Sequence, residues 1–256
     1  MSIATALRRV SATRYATPLR EGGSLPGLVE ADDSGLYVTK FRGAGQGPLA
    51  LVAEVIVGEL ARAVGLPVPE QVIVGIDPAL GLAEPDPEIQ DLIVASSGEN
   101  LGVDFLPGAA GYSAALGWMP DPLLAAEVVW LDALATNVDR TPRNPNLLLW
   151  HGQIWLIDHG ATLYLQHRGL RPLEQASRPF PQIAEHVLLA AAGSITAADE
   201  RLAPRIDRAL LASIADLVPA GWFGADPAQT YVEYLARRLE PPRHFVQEAE
   251  DARASA

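Results

Sequence analysis

The sequence predicts an α+β fold of two lobes, in which an antiparallel sheet with one buried helix precedes a mainly helical half. Three observations lead to this fold class. Short β-rich runs are concentrated in the first part of the chain, one long apolar helix lies between them, and helical patterns dominate later. A chain of 256 residues is long enough for two such lobes, which we expect to span residues 1–108 and 109–256.

A β-hairpin is the first predicted element. Residues 27–30 and 36–41 are β-rich and flank an Asp-Asp-Ser-Gly turn signal at 32–35. A helix over Pro48–Val64 follows, because proline suits the first helical position and Gly65 suits the position just past the end. The helix is apolar on nearly all sides, which predicts that it is buried.

The later elements follow from the same signals. Asp121 and the proline after it predict a helix start, and this helix should run to about Ala135. The remaining predictions are strands at Gln71–Ile76 and 92–96, a surface loop at 77–88, a connector at 108–117, strands at Leu147–Trp150 and 153–157, about three helices after residue 181, and a frayed tail after residue 248.

Composition and charge exclude several classes of protein. The formal net charge of −12 argues against a general nucleic-acid binder and against a polybasic membrane patch, because both depend on clustered Lys and Arg. The absence of cysteine excludes disulfides and thiolate zinc sites. The sequence has no apolar run long enough for a membrane span and no signal-peptide pattern at its start, so we expect a cytoplasmic protein.

Other catalytic patterns find no support. The five histidines are scattered and show no H-E-x-x-H spacing, and no G-x-S-x-G motif occurs. The few aromatic residues are not interleaved with basic ones, so a base-stacking surface is not expected either.

The strongest chemical signal is the ordered set of Asp139, Asn144 and Asp158. Phosphoryl transfer from ATP uses an aspartate to orient the attacking hydroxyl, an asparagine five residues later to hold metal, and a second metal-binding aspartate after a hairpin. Asp139 and Asn144 have that spacing, and Asp158 follows the predicted hairpin with His159 behind it. The alternative is that Asp139 and Arg140 form a turn with a local ion pair, and that Asp158 caps a turn. The ordered set favours a site for ATP and a divalent metal.

Asn146 competes with Asn144 as the metal ligand. It directly precedes the predicted strand Leu147–Trp150, as the metal-binding asparagine of a kinase usually does. Spacing favours Asn144 and position favours Asn146, so both stay open.

Lys40 lies in an otherwise apolar strand, where a buried ammonium group needs a partner. In kinases such a lysine binds the phosphates of ATP and pairs with a helical glutamate. The buried helix offers two glutamates. Glu54 is the preferred partner because it lies within the early apolar turns, and Glu59 is the alternative. A solvent-facing lysine on an edge strand would produce the same pattern.

Two further segments are candidates for contact with ATP. Gly22, Gly23 and Ser24 form a glycine-rich turn before the hairpin, where backbone N–H groups could approach phosphates and Ser24 could be autophosphorylated. The same composition is also ordinary for a loop. Asp104 and Phe105 lie between the two halves, where kinases bind adenine through backbone groups, although a plain linker would look the same.

Four segments together resemble the HipA-like kinases. They are the strand at 37–41, the helical segment at 49–69, the loop at 137–146 and the Ile-Asp-His-Gly run at 157–160. The arrangement of aspartate and asparagine is also similar to that of type II phosphatidylinositol 4-kinases. The resemblance covers roughly residues 20–165 and implies a two-lobed protein-kinase-like fold that uses ATP and Mg²⁺.

The resemblance also implies roles for individual residues. Lys40 would bind the phosphates of ATP, Asp139 would be the catalytic base, and Asn144 and Asp158 would bind the metal. HipA proteins are serine/threonine kinases, typically toxins restrained by a small DNA-binding antitoxin. A protein substrate with a Ser or Thr acceptor and an antitoxin-like partner are therefore expected. The alternatives are a small-molecule or phosphoinositide kinase on the same fold, and a nucleotide-binding regulator without catalysis.

Overall fold

The computed structural model describes residues 6–19, 25–171 and 173–256, apart from the side chains of Ala83 and Leu116. Within those ranges the strands are β1 (Arg8–Pro18), β2 (Gly27–Ala31), β3 (Leu36–Lys40), β4 (Gln71–Ile76), β5 (Gly98–Asp104), β6 (Ala110–Gly111), β7 (Leu147–Trp150) and β8 (Gln153–Leu156). The α-helices are α1 (Pro48–Val64), α2 (Pro87–Ala95), α3 (Pro122–Ala135), α4 (Ile195–Leu202), α5 (Arg208–Ala215), α6 (Ala228–Leu239) and α7 (His244–Ala254). Short 3₁₀ helices cover Pro78–Ala83, Ala114–Leu116, Tyr164–Arg168, Leu173–Ser177, Pro181–Glu185, Leu189–Ala191, Ala203–Arg205 and Ala220–Trp222. The predicted α+β organisation is confirmed, and no helix in these ranges is long and apolar enough to cross a membrane.

A closed five-stranded barrel forms the first half. Its strands follow the order β1-β2-β3-β5-β4, and every neighbouring pair is antiparallel except β1 and β4. That parallel pair, in which Arg8 lies opposite Val72, closes the barrel and leaves no free strand edge. The predicted hairpin is confirmed as β2 and β3, with Gly27 opposite Thr39.

The sequence prediction lacks β1. The pairing of this strand with β2 shifts register between Ala12 and Arg14 and again between Tyr15 and Thr17. Such bulges interrupt the alternation of apolar and polar residues by which a strand is recognised.

The strand predicted at 92–96 is wrong. Residues 92–95 end α2, which begins behind Asp86, whose carboxylate accepts the Glu88 N–H at 3.0 Å. Ile89 and Ile93 are buried against the barrel core, and their four-residue spacing places them on one face of the helix. A short apolar run looks the same in a strand and in a helix.

The helix α1 lies between the barrel and the helical half. Gly65 ends it with a left-handed φ of 90°. Its apolar side chains share one core cluster with those of the helical half, whereas the barrel has a smaller core of its own. Arg205 supports its last turn, because Nη1 donates to the Val64 carbonyl at 2.7 Å. The helix α1 therefore packs with the second half, although it precedes residue 108 in the chain. The boundary between two lobes at residues 108 and 109 stays a prediction.

The helix α3 and the small sheet β6-β7-β8 frame a polar loop. Asp121 caps α3 as predicted, because its carboxylate accepts the Leu123 N–H at 2.8 Å. The strands β7 and β8 pair with Leu147 opposite Leu156, which confirms the second predicted hairpin. The loop between α3 and β7 is thus held at both ends by regular structure.

The C-terminal part holds four α-helices, α4 to α7, where about three are predicted, and the tail expected to fray after residue 248 is helical to Ala254. Phe245 and Ala249 are buried. The Glu250 carboxylate accepts the Ile195 N–H at 2.7 Å and caps the start of α4. The packing of α7 could not be predicted, because charged residues surround its few apolar positions in the sequence.

Arg238, on α6, fixes the end of α3 next to the polar loop. Its guanidinium donates to the carbonyls of Leu134 at 2.6 Å, Ala133 at 2.8 Å and Ala176 at 2.8 Å. The side chain is buried, so no water can replace these bonds if it is removed.

We expect Arg238→Met to lower the free energy of unfolding by about 3 kcal/mol or more, because three buried carbonyls lose their donors. Urea unfolding followed by circular dichroism measures this. Arg237→Met is the matched control, since the neighbouring side chain is exposed and, among the described residues, bonds only Glu240 at 3.1 Å, and it should change stability by less than about 1 kcal/mol. Similar losses for the two variants would contradict the anchoring role of Arg238.

Candidate functional site

A buried ion pair joins β3 to α1. Lys40, the last residue of β3, donates from Nζ to Glu54 Oε1. The side chain of Glu54 is 2% exposed and that of Lys40 is 12% exposed. Glu59 pairs with Arg62 at 3.2 Å instead. Lys40 therefore has the partner that the sequence analysis prefers, and it does not face solvent.

Asp158 joins this pair from the second half of the molecule. Its Oδ1 accepts from Lys40 Nζ at 2.7 Å, so one ammonium group bridges two carboxylates. Asp158 has a left-handed φ of 56°, and the turn it makes brings the Gly160 N–H within 2.7 Å of Glu54 Oε1. A Cβ on Gly160 would lie 3.1 Å from the same oxygen. Glycine thus allows the turn after β8 to close on α1.

The charges of this cluster are set by burial and by each other. Burial raises the pKa of Glu54 to about 7, although Lys40 acts in the opposite direction. The positive charge of Lys40 lowers the pKa of Asp158. Burial alone would lower the pKa of Lys40, but the two carboxylates outweigh it and raise that pKa. Lys40 is held as a cation and Asp158 as an anion, which are the charge states that bind phosphate and metal.

Asp139 lies in the polar loop between α3 and β7. Its N–H donates to Asn137 Oδ1 at 3.0 Å. Its Oδ2 accepts from Asn144 Nδ2 at 2.8 Å and from Asn146 Nδ2 at 3.2 Å. The two asparagines that compete as metal ligands in the sequence analysis therefore meet at one oxygen of Asp139.

Asn146 differs from Asn144 in its link to the acidic turn. Its carbonyl accepts the Ile157 N–H at 3.1 Å, which joins the residue before Asp158 to the residue before β7. Asn146 is buried, whereas Asn144 is exposed. Of the two asparagines, Asn146 is the one bonded through its backbone to the segment that carries Asp158.

Arg140 does not form the local ion pair considered in the sequence analysis. Its guanidinium is fully buried and donates to Asp132 Oδ2 at 2.5 Å. It also donates to the carbonyl of Asn146 and to that of Ile157 at 3.3 Å, and Nη2 lies 3.4 Å from Nδ1 of His159. One side chain thus connects α3, the start of β7, the end of β8 and the acidic turn.

Asp132 balances the charge of Arg140 and is missing from the sequence analysis. It also bonds Asn137 Nδ2 and His186 Nε2, each at 2.9 Å. Burial would raise the pKa of Asp132, but Arg140 and these hydrogen bonds outweigh it and lower that pKa. A carboxylate in an apolar helix was a usable signal for Asp132, by the argument that selected Glu54. No local pattern marks His186.

A cavity of about 600 Å³ lies beside Lys40 and Asp158, between the barrel and the helical half. This volume is typical of a small-molecule site. Its apolar lining comes from both halves and includes Val38, Val103, Leu106, Leu148 and Ile157.

The two residues predicted to contact adenine, Asp104 and Phe105, also line this cavity. Their N–H groups are engaged within the protein, with the Glu70 carbonyl at 2.8 Å and the Leu36 carbonyl at 2.9 Å. They can therefore shape the cavity, but they offer no free backbone donor.

The predicted glycine-rich turn of Gly22, Gly23 and Ser24 lies outside the described residues. Leu19 and Pro26 line the cavity, and the Leu19 N–H donates to the Pro26 carbonyl at 2.8 Å.

The oxygen-bearing side chains at the cavity suit a hard cation. Within the described ranges, no group of three His, Asp or Glu side chains is placed to hold a metal ion. A Mg²⁺ site in a phosphotransferase needs only one or two carboxylates, because substrate phosphates and water supply the other ligands. The carboxylate of Asp158, which lines the cavity, therefore suits Mg²⁺ that is bound together with ATP.

Comparisons with known proteins identify a family and a similar fold. The profile of a family described as HipA-like kinase matches residues 14–240. The crystal structure of a Helicobacter pylori proinflammatory kinase, CtkA, is similar in fold, with a TM-score of 0.57 and 14% sequence identity over 100% of this chain and 99% of that chain. No curated protein sequence gives a significant match. The similarity confirms the predicted two-lobed kinase-like fold.

We expect His159 to make the stability of the protein depend on pH. Burial lowers the pKa of its imidazole to about 3, whereas an unfolded histidine titrates near about 6.5. Between these values the unfolded chain binds one more proton, so acidification lowers the free energy of unfolding by up to about 1.4 kcal/mol per pH unit. His159→Asn should remove this contribution between about pH 6 and about pH 4 in urea unfolding.

The matched control is His151→Asn. His151 is exposed in the turn between β7 and β8, and its left-handed φ of 50° suits asparagine. This variant should keep the wild-type change in the free energy of unfolding with pH. If His159→Asn also kept it, the result would contradict a buried, neutral imidazole at residue 159.

Proposed function

We propose that this chain, which belongs to the HipA-like kinase family, transfers the γ-phosphoryl group of ATP to a hydroxyl group with the help of Mg²⁺. One observation carries the proposal. Lys40 Nζ contacts Glu54 and Asp158, one carboxylate from each half of the molecule, beside a cavity of about 600 Å³. A fixed cation and a metal-binding carboxylate in a cavity of this size are what ATP binding requires.

In this proposal the adenine of ATP lies between apolar walls and its phosphates lie beside the buried ion pair. Val38 and Leu148 line the cavity from the two halves. Because the N–H groups of Asp104 and Phe105 are already used, the base would take its backbone donor from Leu106. Asp104 and Phe105 then shape the adenine site without donating to the base.

Asp158 and Asn146 are the proposed Mg²⁺ ligands. Carboxylate and amide oxygens suit a hard cation, and the bond from the Ile157 N–H to the Asn146 carbonyl at 3.1 Å supports the pairing. Bound Mg²⁺ would neutralise charge that develops on the phosphates. Asn144 is the alternative ligand, because it has the spacing found in kinases.

Asp139 is proposed to orient the acceptor hydroxyl and to accept its proton. Its carboxylate is half-buried and is held by the amides of Asn144 and Asn146. The buried Arg140 immobilises the loop that carries it. A carboxylate fixed in this way promotes transfer mainly by positioning the nucleophile.

The proposed acceptor is a serine or threonine side chain of a protein, and an antitoxin-like protein remains a predicted partner. Membership of the family supports both. Intact-mass measurement after incubation with Mg·ATP tests the acceptor. A phosphate adduct supports a protein kinase, and peptide mapping then tests the predicted modification of Ser24. ADP without an adduct means that water took the phosphoryl group and favours a small-molecule acceptor that was not supplied. Bound nucleotide with neither product supports a regulator.

We expect Asp139→Asn to lower the rate of phosphoryl transfer by about 10²–10⁴-fold, because the acceptor loses its base. Nucleotide affinity, measured by calorimetry, should stay close to that of the wild type, since Lys40 and Asp158 are intact. Asp91→Asn, which neutralises an exposed carboxylate on α2, is the control and should leave both quantities unchanged. Undiminished turnover by the Asp139 variant would refute the role assigned to this residue.

Two asparagine variants distinguish the metal ligands. Asn146→Ala should raise the Mg²⁺ concentration for half-maximal rate by about ten-fold or more, since even indirect partners of a metal matter by that factor. Asn144→Ala should lower kcat through Asp139 with little change in the Mg²⁺ dependence. Titration of the rate of ADP release with Mg²⁺ at fixed ATP measures both, and the opposite pattern would assign the metal to Asn144.

A further inference from the structure

Gln71 contacts α1 at the residue that pairs with Lys40. It is the first residue of β4 and is 5% exposed. Its Nε2 donates to the backbone carbonyl of Glu54 at 2.9 Å. Its Oε1 has no hydrogen-bond partner within the described residues. Burial of an amide with an unpaired oxygen is unfavourable, so core packing alone does not account for a glutamine here.

Gly58 makes room for this contact. It lies one turn after Glu54 in α1, on the same side of the helix. A Cβ at this position would lie 2.6 Å from Gln71 Nε2 and 3.0 Å from Cδ. Glycine weakens the interior of a helix relative to alanine, and the close approach of the Gln71 amide explains its presence. Gly58 and Gln71 together fix the distance between α1 and β4.

Gln71 is also joined to the wall of the cavity. It lies opposite Val103 in the pairing of β4 with β5, and Val103 lines the cavity. The carbonyl of the preceding residue, Glu70, accepts the Asp104 N–H at 2.8 Å. The start of β4 therefore connects the strand beside the cavity to the helix that carries Glu54.

We propose that Gln71 is a positioning residue for phosphoryl transfer, which holds α1 so that Glu54 reaches Lys40. This inference rests on the proposed function, because it assigns Gln71 to the same site. Lys40 and Gly160 hold the carboxylate of Glu54, while Gln71 holds its backbone. When the amide is removed, α1 loses its polar contact with β4, and the geometry of the ion pair is no longer maintained during turnover.

A double-mutant cycle tests the proposal. Gln71→Met keeps the length of the side chain and its contact with Gly58 but removes the amide. Steady-state release of ADP from Mg·ATP is measured for the wild type, Gln71→Met, Glu54→Gln and the double variant. Gln71→Met should lower kcat by about ten-fold in the wild-type background and by less than about two-fold in the Glu54→Gln background. Equal losses in both backgrounds would make Gln71 merely structural and overturn the proposal.

The matched control is Gln90→Met. The Nε2 of Gln90 also donates to a backbone carbonyl, that of Glu84 at 2.5 Å, but this bond joins α2 to the segment before it and not to α1. Its kcat should equal that of the wild type. A loss as large as that of Gln71→Met would show that removing any such amide is harmful and would overturn the proposal.

Gly58→Ala is a second route to the same test and replaces Gln71→Met if that variant does not fold. Its methyl group displaces the Gln71 amide without removing it, so kcat should fall with the same dependence on Glu54. An unchanged kcat would count against Gln71. Absence of both ADP release and a phosphate adduct in the wild type refutes the proposed function, whereas wild-type ADP release with unaffected variants refutes only the role of Gln71.

Discussion

The guanidinium of Arg140 lies buried where the loop after α3, the start of β7 and the end of β8 meet. A buried cation is costly unless its charge and its N–H groups are matched. Asp132 balances the charge, and the carbonyls of Asn146 and Ile157 accept further N–H groups. Each of these segments also carries a residue of the proposed site. Loss of the charge balance or the hydrogen bonds of Arg140 would therefore disturb the polar loop and the acidic turn together.

The charges of Lys40, Glu54 and Asp158 beside the cavity constrain what can bind there. Lys40 is shared between Glu54 and Asp158, so the cluster holds two carboxylates and one ammonium group. Above the Glu54 pKa of about 7 the cluster carries an excess of negative charge, which attracts Mg²⁺ and repels a triphosphate that comes without it. In the proposed function Asp158 would hold the metal together with the nucleotide, and Lys40 would bind the phosphates. Glu54, bonded to Gly160 and buried, would keep its place.

The residues of the proposed site that the sequence suggested are those that stand out against their neighbours in the chain. A lysine in an apolar strand pointed to Lys40, and spacing within one loop pointed to Asp139. Asp132 stands out as a carboxylate in an apolar helix, but its pairing with Arg140 could not be predicted, because the two meet only when the loop folds back over α3. The strand β1 escaped prediction because its bulges remove the alternation of a strand.

By itself the sequence determined the order of most helices and strands and the identity of the charged residues, since these follow from apolar periodicity and local backbone preference. Only the tertiary structure decided which partner each charge has: Glu54 rather than Glu59 for Lys40, and Asp132 for Arg140. It also decided that β1 and β4 close the barrel. The physical reason is that the free energy of a buried charge depends on distances between segments far apart in the chain and on the exclusion of water around them, and neither is encoded in a local stretch of residues.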